Sequence, residues 1–199
     1  MRSLARLAGR FGLLAILGIS LAGCGVNNIP SQEEAAKAKW SQVLNQYQRR
    51  ADLIPNLVET VKGYAKQEAQ VLEAVVAARA RATSVQVPPD ILTNPEAFKK
   101  FQEAQTQLSG SLGRLLAISE NYPDLKSNQN FLALQSQLEG TENRISVARR
   151  DYIEAVQAYN TELKTFPGVI WASTLYKGNK PVETFTIAEE TKRPPQVKF

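Results

Sequence analysis

The sequence predicts an all-α protein, an up-down antiparallel four-helix bundle with an irregular C-terminal tail. Apolar residues repeat every seven positions over long stretches, and no stretch shows the alternation expected of a β-strand. Short segments rich in proline and capping residues divide these stretches into helices of similar length. Heptad repeats joined by short connections are typical of antiparallel helices that bury one common seam, as in a coiled coil.

The first 23 residues have the three parts of a bacterial secretion signal. The first ten residues carry three arginines and no acidic residue. Residues 11–19 are apolar, but they are too few to span a bilayer of roughly 30 Å. A cleavable signal peptide over residues 1–23 therefore explains this segment better than a transmembrane helix. The positions before Cys24 hold Leu21, Ala22 and Gly23.

The string Leu21-Ala22-Gly23-Cys24 resembles the lipobox of bacterial lipoproteins. It predicts that the signal peptidase recognises the first three residues and that Cys24 carries the lipid, including a palmitate-type acyl chain. The bilayer is then a partner, and the protein sits on the extracytoplasmic side of the cell envelope. Gly25 in place of an aspartate favours the outer membrane if the source is Gram-negative. The alternatives are a secreted protein with a chance cysteine and an uncleaved anchor.

Composition argues against several classes of function. The net charge is +5, but the leader contains three arginines and no acid, which leaves +2 for the rest of the chain. This excess is too small for a nucleic-acid-binding face. The sequence contains no histidine and a single cysteine, so Ser-His, Cys-His and His-metal sites are excluded. We expect no metal site, no cofactor and no enzymatic activity.

Helix boundaries can be placed from capping residues. Residues 24–30 are predicted to form a lipidated tether, and the capping box Ser31–Glu34 predicts that the first helix starts near Ser31. A second capping box is predicted at Thr93–Glu96, with a proline at the helix start. The predicted breaks between and after the helices are Ser84–Asp90, Asn121–Asp124 and Phe166–Gly168.

These limits predict a helical domain over residues 31–167 and a C-terminal tail over residues 168–199, partly packed on the bundle. Within the domain, rows of apolar residues spaced seven apart are predicted to face the core, and Thr141 interrupts a companion row. The rows are Trp40, Tyr47 and Ile54; Leu57, Tyr64, Val71, Ala78 and Val85; Phe101, Leu108, Leu115 and Tyr122; and Phe131, Leu138, Ile145, Tyr152, Tyr159 and Phe166.

Pro55 allows two interpretations. The apolar phase runs across it, which favours one long kinked helix. Helix lengths that match in a bundle favour a turn instead, since an interior proline costs about 3 kcal/mol. From these lengths we expect a turn, with Asp52 capping the next helix.

Some polar residues fall at or near core positions. Arg50 and Glu68 occupy core-facing positions, where a charge is costly unless it is paired. We expect pairs such as Arg49 or Arg50 with Glu139 or Glu142, which would fix helix register; the alternative is a surface groove for a partner. The Ser109-Gly110-Ser111 string is interpreted as a place of close helix packing. The candidate structural or partner-binding network consists of Arg49, Arg50, Asp52, Asn56, Glu68, Glu142, Asn143 and Arg149.

Two long strings carry a family resemblance. Residues 49–65, beginning Arg-Arg-Ala-Asp-Leu-Ile-Pro-Asn-Leu-Val, and residues 122–150, including Leu-Glu-Gly-Thr-Glu-Asn-Arg-Ile, resemble the two signatures of the LemA family. The resemblance runs from about Val26 to Pro167. It implies a four-helix up-down bundle, which supports a turn at Pro55, and a membrane-attached envelope protein of undefined activity. Many members have an N-terminal membrane helix where this chain has the lipobox.

The sequence therefore predicts a non-catalytic envelope scaffold or adaptor of the LemA type with a protein partner in the envelope. Two alternatives remain: a regulator of a membrane-associated enzyme such as a protease, and a hydrolase that uses carboxylates alone.

Overall fold

A computed structural model describes residues 25–186, and every regular element in that range is helical. The all-α prediction is thereby confirmed. The leader, Cys24 and residues 187–199 lie outside the described residues. The six α-helices of the described range are α1 (Asn28–Tyr64), α2 (Ala69–Ser84), α3 (Pro95–Ser119), α4 (Pro123–Lys126), α5 (Gln129–Glu162) and α6 (Gly168–Thr174). Short 3-10 turns cover Lys66–Glu68 and Ile91–Thr93.

The described chain forms two compact units. The first consists of residues 25–37 and 155–182, and the second of residues 38–154 and 183–186. Among the described residues, no helix has the length and apolar character needed to cross a bilayer.

The second unit has a continuous apolar core in which α2 packs against α3. The same unit contains an aromatic cluster around the buried Trp40, whose ring centroid lies 5.3–6.0 Å from those of its four neighbours. Aromatic pairs at this spacing stabilise the fold beyond the contribution of their buried area. The four neighbours are Phe98, Phe101, Tyr152 and Phe185.

Most members of the heptad rows are buried as predicted; Val71, Val85 and Tyr122 are half-buried, and two bulky members are exposed. Tyr64 is 43% exposed and Phe166 is 81% exposed. Each lies at or beyond a helix end: α1 stops at Tyr64, and α5 stops at Glu162. The heptad spacing continues in the sequence past the point where the helix has ended, and a period without a helix no longer places a side chain in the core.

The predicted turn at Pro55 is wrong, because α1 continues through it to Tyr64. An interior proline leaves the carbonyl four residues earlier, that of Ala51, without its helical N–H donor. The Arg79 Nε of α2 donates to this oxygen at 2.8 Å. A tertiary contact thus replaces the lost backbone hydrogen bond, and the break falls at residues 65–68 instead.

The predicted first cap is also displaced. The helix begins at Asn28, and the Ser31 backbone N–H donates to the Asn27 carbonyl, so Ser31 lies inside α1 rather than at its cap. At the start of α3 the cap is Asn94 rather than Thr93. The Asn94 side chain accepts from the Ala97 N–H at 3.1 Å, with Pro95 in the first turn as expected.

The predicted irregular tail begins with a helix, α6. In the first unit, Gly168 opens this helix close to the end of α5: a Cβ at Gly168 would lie 2.1 Å from the Glu162 carbonyl oxygen. Farther on, the Asn160 side chain donates to the Val182 carbonyl and accepts from its N–H, both at 2.9 Å. Residues 168–182 are therefore held by specific contacts within that unit.

Candidate functional site

The most buried charge in the described chain is Arg50 of α1, at 1% exposure. Its Nη1 donates to Glu142 Oε1 of α5 at 2.9 Å and to Ser109 Oγ of α3 at 2.6 Å. Its Nη2 donates to Gln105 of α3, to the side-chain oxygen at 2.6 Å and to the backbone carbonyl at 3.3 Å. We call Arg50, Gln105, Ser109 and Glu142 the arginine cluster.

The arginine cluster links four helices of the second unit. Gln105 Nε2 donates to the Ala82 carbonyl of α2 at 3.4 Å, which extends the network beyond the helices that Arg50 itself touches. Because a buried polar network is satisfied only in one alignment, it penalises any sliding of these helices. The Arg50–Glu142 ion pair is one of the pairings that the sequence predicts.

Tyr47 lies against the cluster. Its ring centroid is 5.0 Å from the Arg50 guanidinium carbon, a cation–π distance. Burial raises the pKa of the Tyr47 hydroxyl, and the positive charges of Arg149 and Arg50 partly oppose this effect. The phenol therefore stays neutral at physiological pH.

A polar cavity of about 70 Å³ adjoins the cluster. Its lining includes two guanidinium groups, Arg50 and Arg149, and one carboxylate, Glu142. A space of this size and polarity suits a few water molecules or one small anion. The hydroxyl and amide residues of the lining are Tyr47, Gln102, Gln105, Thr106, Ser109 and Ser146.

Arg149 reaches this cavity from α5 and also packs on Phe185. Its guanidinium carbon lies 4.3 Å from the centroid of Phe185, which is buried. The backbone around Phe185 is fixed as well: Tyr152 Oη donates to the Glu183 carbonyl at 2.7 Å, and the Glu183 N–H donates to the Leu92 carbonyl at 2.7 Å.

The other predicted network residues do not join the arginine cluster. Arg49, Asn56 and Asn143 are exposed, and Asp52 is exposed and accepts from Gln48 Nε2 at 2.7 Å. Glu68 instead accepts from Tyr122 Oη at 2.8 Å. This hydrogen bond raises the pKa of the Tyr122 hydroxyl.

Sequence reasoning missed Gln105 and Ser109. A signal for Gln105 was present, because it stands midway between Phe98 and Leu112 in one heptad row and is polar at a core position. The close packing expected around Gly110 is wrong: a Cβ there would meet nothing within 4 Å. The Ser109 hydroxyl serves Arg50 rather than a close approach of helices.

An open groove of about 360 Å³ lies beside the arginine cluster in the second unit and shares Tyr47 and Gln105 with the polar cavity. Its lining is more apolar than polar, and Gln48 on α1 marks its exposed side. Within residues 25–186, no group of three or more His, Cys, Asp or Glu side chains is arranged to hold a metal ion.

Comparison with known proteins places the chain in a family. It is 26% identical over 157 residues to the magnetosome proteins MamQ 1 and MamQ 2 of Paramagnetospirillum magneticum, covering 71% of this chain and 58% of theirs. It is 26% identical over 175 residues to magnetosome protein MamQ of Magnetospirillum gryphiswaldense, covering 80% of this chain and 64% of the relative. The chain thus spans less than two thirds of each of these relatives. The family model described as LemA family matches residues 39–199, and the chain therefore belongs to the LemA family.

Proposed function

We propose that this LemA-family protein is a non-catalytic scaffold or adaptor, tethered to a bacterial membrane on the extracytoplasmic side by acyl chains on Cys24. The observation that carries the proposal is the string Leu21-Ala22-Gly23-Cys24 at the end of a short apolar leader. A lipid with two or three acyl chains makes attachment stable, since each buried methylene contributes about 0.8 kcal/mol. Gly25 after the cysteine favours the outer membrane in a Gram-negative cell.

The helical domain supports a scaffold role. Both terminal nitrogens of Arg50 bind residues of two other helices, so its charge is used to hold helices together. We further infer that the long helices of the second unit follow the up-down antiparallel order of a four-helix bundle. The open groove beside Gln48 is then the surface at which a protein partner in the envelope docks.

Membrane attachment is tested by fractionation. After an alkaline wash of total membranes, the wild-type protein should remain in the pellet, whereas Cys24→Ser should be released or remain as unprocessed precursor. Asn27→Ser, three residues beyond the cysteine, is the matched control and should stay in the pellet. Retention of mature-length Cys24→Ser would rule out the lipid as the anchor.

The adaptor role is tested by site-specific photo-cross-linking in intact cells. A photoreactive residue at Gln48, in the groove, should capture one envelope protein. The same residue at Lys99, which is exposed on α3 and does not line the groove, should not capture it. Equal capture at both positions, or capture of only a second copy of this chain, would contradict an adaptor function for the groove.

A further inference from the structure

The strongest unexplained surface lies in the first unit. Nine large apolar side chains are exposed among residues 25–186, and four of them fall within residues 166–175. Two flank α6, with Phe166 81% exposed and Leu175 64% exposed; Val169 and Ile170 lie on the helix itself. We call residues 166–175 the apolar segment. Such a concentration of exposed apolar side chains marks an interaction surface.

The charged side chains around the apolar segment are mostly lysines, although the Glu162 carboxylate lies beside Gly168. Residues 163–182 contain three lysines and no acidic residue. Lys164, Lys177 and Lys180 are exposed, and none forms an ion pair with another residue of the described chain. Apolar side chains bordered by lysines suit an anionic lipid surface, where the chains enter the headgroup boundary and the ammonium groups meet phosphates.

The segment lies beside the point at which the described chain begins. A Cβ built on Gly25 would lie 3.3 Å from Pro167 Cγ, so Gly25 touches the apolar segment directly. The start of α1 is tied to the end of α5 nearby, because Asn28 Nδ2 donates to Glu162 Oε1 at 3.3 Å. Cys24 is bonded to Gly25, and successive Cα atoms are about 3.8 Å apart. An acyl chain on Cys24 therefore starts next to these exposed side chains.

We propose that the apolar segment is a second membrane contact, which dips into the headgroup region of the same bilayer that holds the acyl chains. This inference rests on the proposed acylation of Cys24. The acyl chains set the distance of the domain from the membrane, and the apolar segment sets its orientation, because two adjacent contacts remove the freedom that one flexible tether leaves. The lysines favour bilayers that contain anionic lipid.

Trp171 supplies a built-in probe. It lies on α6 next to Ile170 and is one of two tryptophans; the other, Trp40, is 5% exposed in the aromatic cluster of the second unit. A Trp40→Phe background leaves Trp171 as the single emitter. Circular dichroism checks that this background retains the helical content of the wild type.

The experiment uses the mature chain purified from membranes, with the mass of the Cys24 adduct measured first. The protein is reconstituted into phosphatidylcholine vesicles, with or without phosphatidylglycerol, that carry lipids brominated near the headgroup. We expect about twofold quenching of Trp171 emission in the anionic vesicles, and less when Lys164, Lys177 and Lys180 are changed to Gln.

Two triple variants distinguish the effect of the apolar segment from that of the acyl chains. Phe166→Ser with Ile170→Ser and Leu175→Ser should abolish the quenching while the acyl chains keep the protein on the vesicles. Val76→Ser with Leu132→Ser and Val147→Ser, exposed apolar residues of the second unit, is the matched control and should be quenched like the parent.

The outcomes distinguish the two proposals. An acylated protein whose Trp171 is not quenched, or a Phe166 triple variant quenched as strongly as the parent, overturns the second membrane contact alone. A bare Cys24 thiol overturns the proposed anchor, and this inference with it.

Discussion

The arginine cluster and the apolar segment depart from the usual distribution of residues in opposite directions. The cluster buries a guanidinium at 1% exposure among the helices of the second unit, whereas the segment exposes Phe166 at 81% in the first unit. Burying a charge is costly unless it is paired, and Arg50 has four hydrogen bonds. Exposing a phenylalanine is costly unless something covers it, and nothing in the described chain does.

This difference separates contacts that stabilise the fold from side chains that are available to a surface outside the protein. Each polar group that Arg50 contacts belongs to the same unit. Alignment of the helices therefore explains why these residues are polar. No contact within the described residues explains in the same way why the apolar segment is exposed. A buried polar group with partners therefore points to architecture, and an exposed apolar group without them points to a surface outside the protein.

The largest expected effect is on the arginine cluster. Arg50→Ala should lower the free energy of unfolding by roughly 3–5 kcal/mol, because it leaves Gln105 and Ser109 without their partner and opens a cavity. Chemical denaturation measures this loss. Arg49→Ala, the exposed neighbour, is the control and should change stability by about 0.5 kcal/mol or less. Equal effects of the two variants would show that the arginine cluster does not stabilise the fold.

A pair of phenylalanines sharpens the comparison. Phe185→Ala should cost about 3 kcal/mol, since the ring packs against Trp40, Phe98 and Tyr152 and lies beneath Arg149. Phe166→Ala should leave the free energy of unfolding of the protein in detergent-free buffer within about 0.5 kcal/mol. Thermal melts of both variants make the test, and a costly Phe166→Ala would mean that its ring is buried by the protein itself.

Two glycines test whether the apolar segment is held in place. Gly168→Ala places a Cβ 2.1 Å from the Glu162 carbonyl oxygen, so the start of α6 has to move, at a cost of about 1–3 kcal/mol. Gly178→Ala meets nothing within 4 Å and should be neutral or slightly stabilising. Thermal denaturation measures the stability of both variants, and Trp171 emission reports movement of α6. Tolerance of both substitutions would show that α6 is not seated against α5.

A smaller effect concerns the proline inside α1. Arg79→Ala should cost about 1 kcal/mol, because the Ala51 carbonyl loses its only replacement donor. In a Pro55→Ala background, the restored N–H satisfies the same oxygen, and the Arg79→Ala cost should fall by more than half. A double-mutant cycle on urea denaturation measures this coupling. Strictly additive effects would show that Arg79 does not compensate for Pro55.

A structural feature could be predicted from the sequence where it depends on a local pattern, and not where it depends on a tertiary contact. Heptad spacing places Trp40, Leu108 and Tyr152 in the core because period and burial are linked through one helix. The same spacing fails at Tyr64, the last residue of α1, and at Phe166, which lies beyond the end of α5. Pro55 was misread because the donor that rescues Ala51 comes from another helix, and no local pattern shows it.

The candidate site follows the same rule. The need for a partner at Arg50 is visible in the sequence, since a charge stands in an apolar row, and Glu142 was among the residues expected to meet it. The place of Ser109 depends on the alignment of α3 with α1, which heptads do not specify. The contact of Gly25 with Pro167 joins positions far apart in the chain and could come only from the structure.

The central claim is that a single lipidated sulfur holds this helical domain at a membrane. The most direct test is intact-mass spectrometry of the protein extracted from its native membrane. We predict a polypeptide that begins at Cys24 and carries the added mass of a diacylglyceryl group, with or without a further acyl chain. A chain that still begins at Met1, or one that begins at Cys24 with a free thiol, would contradict it.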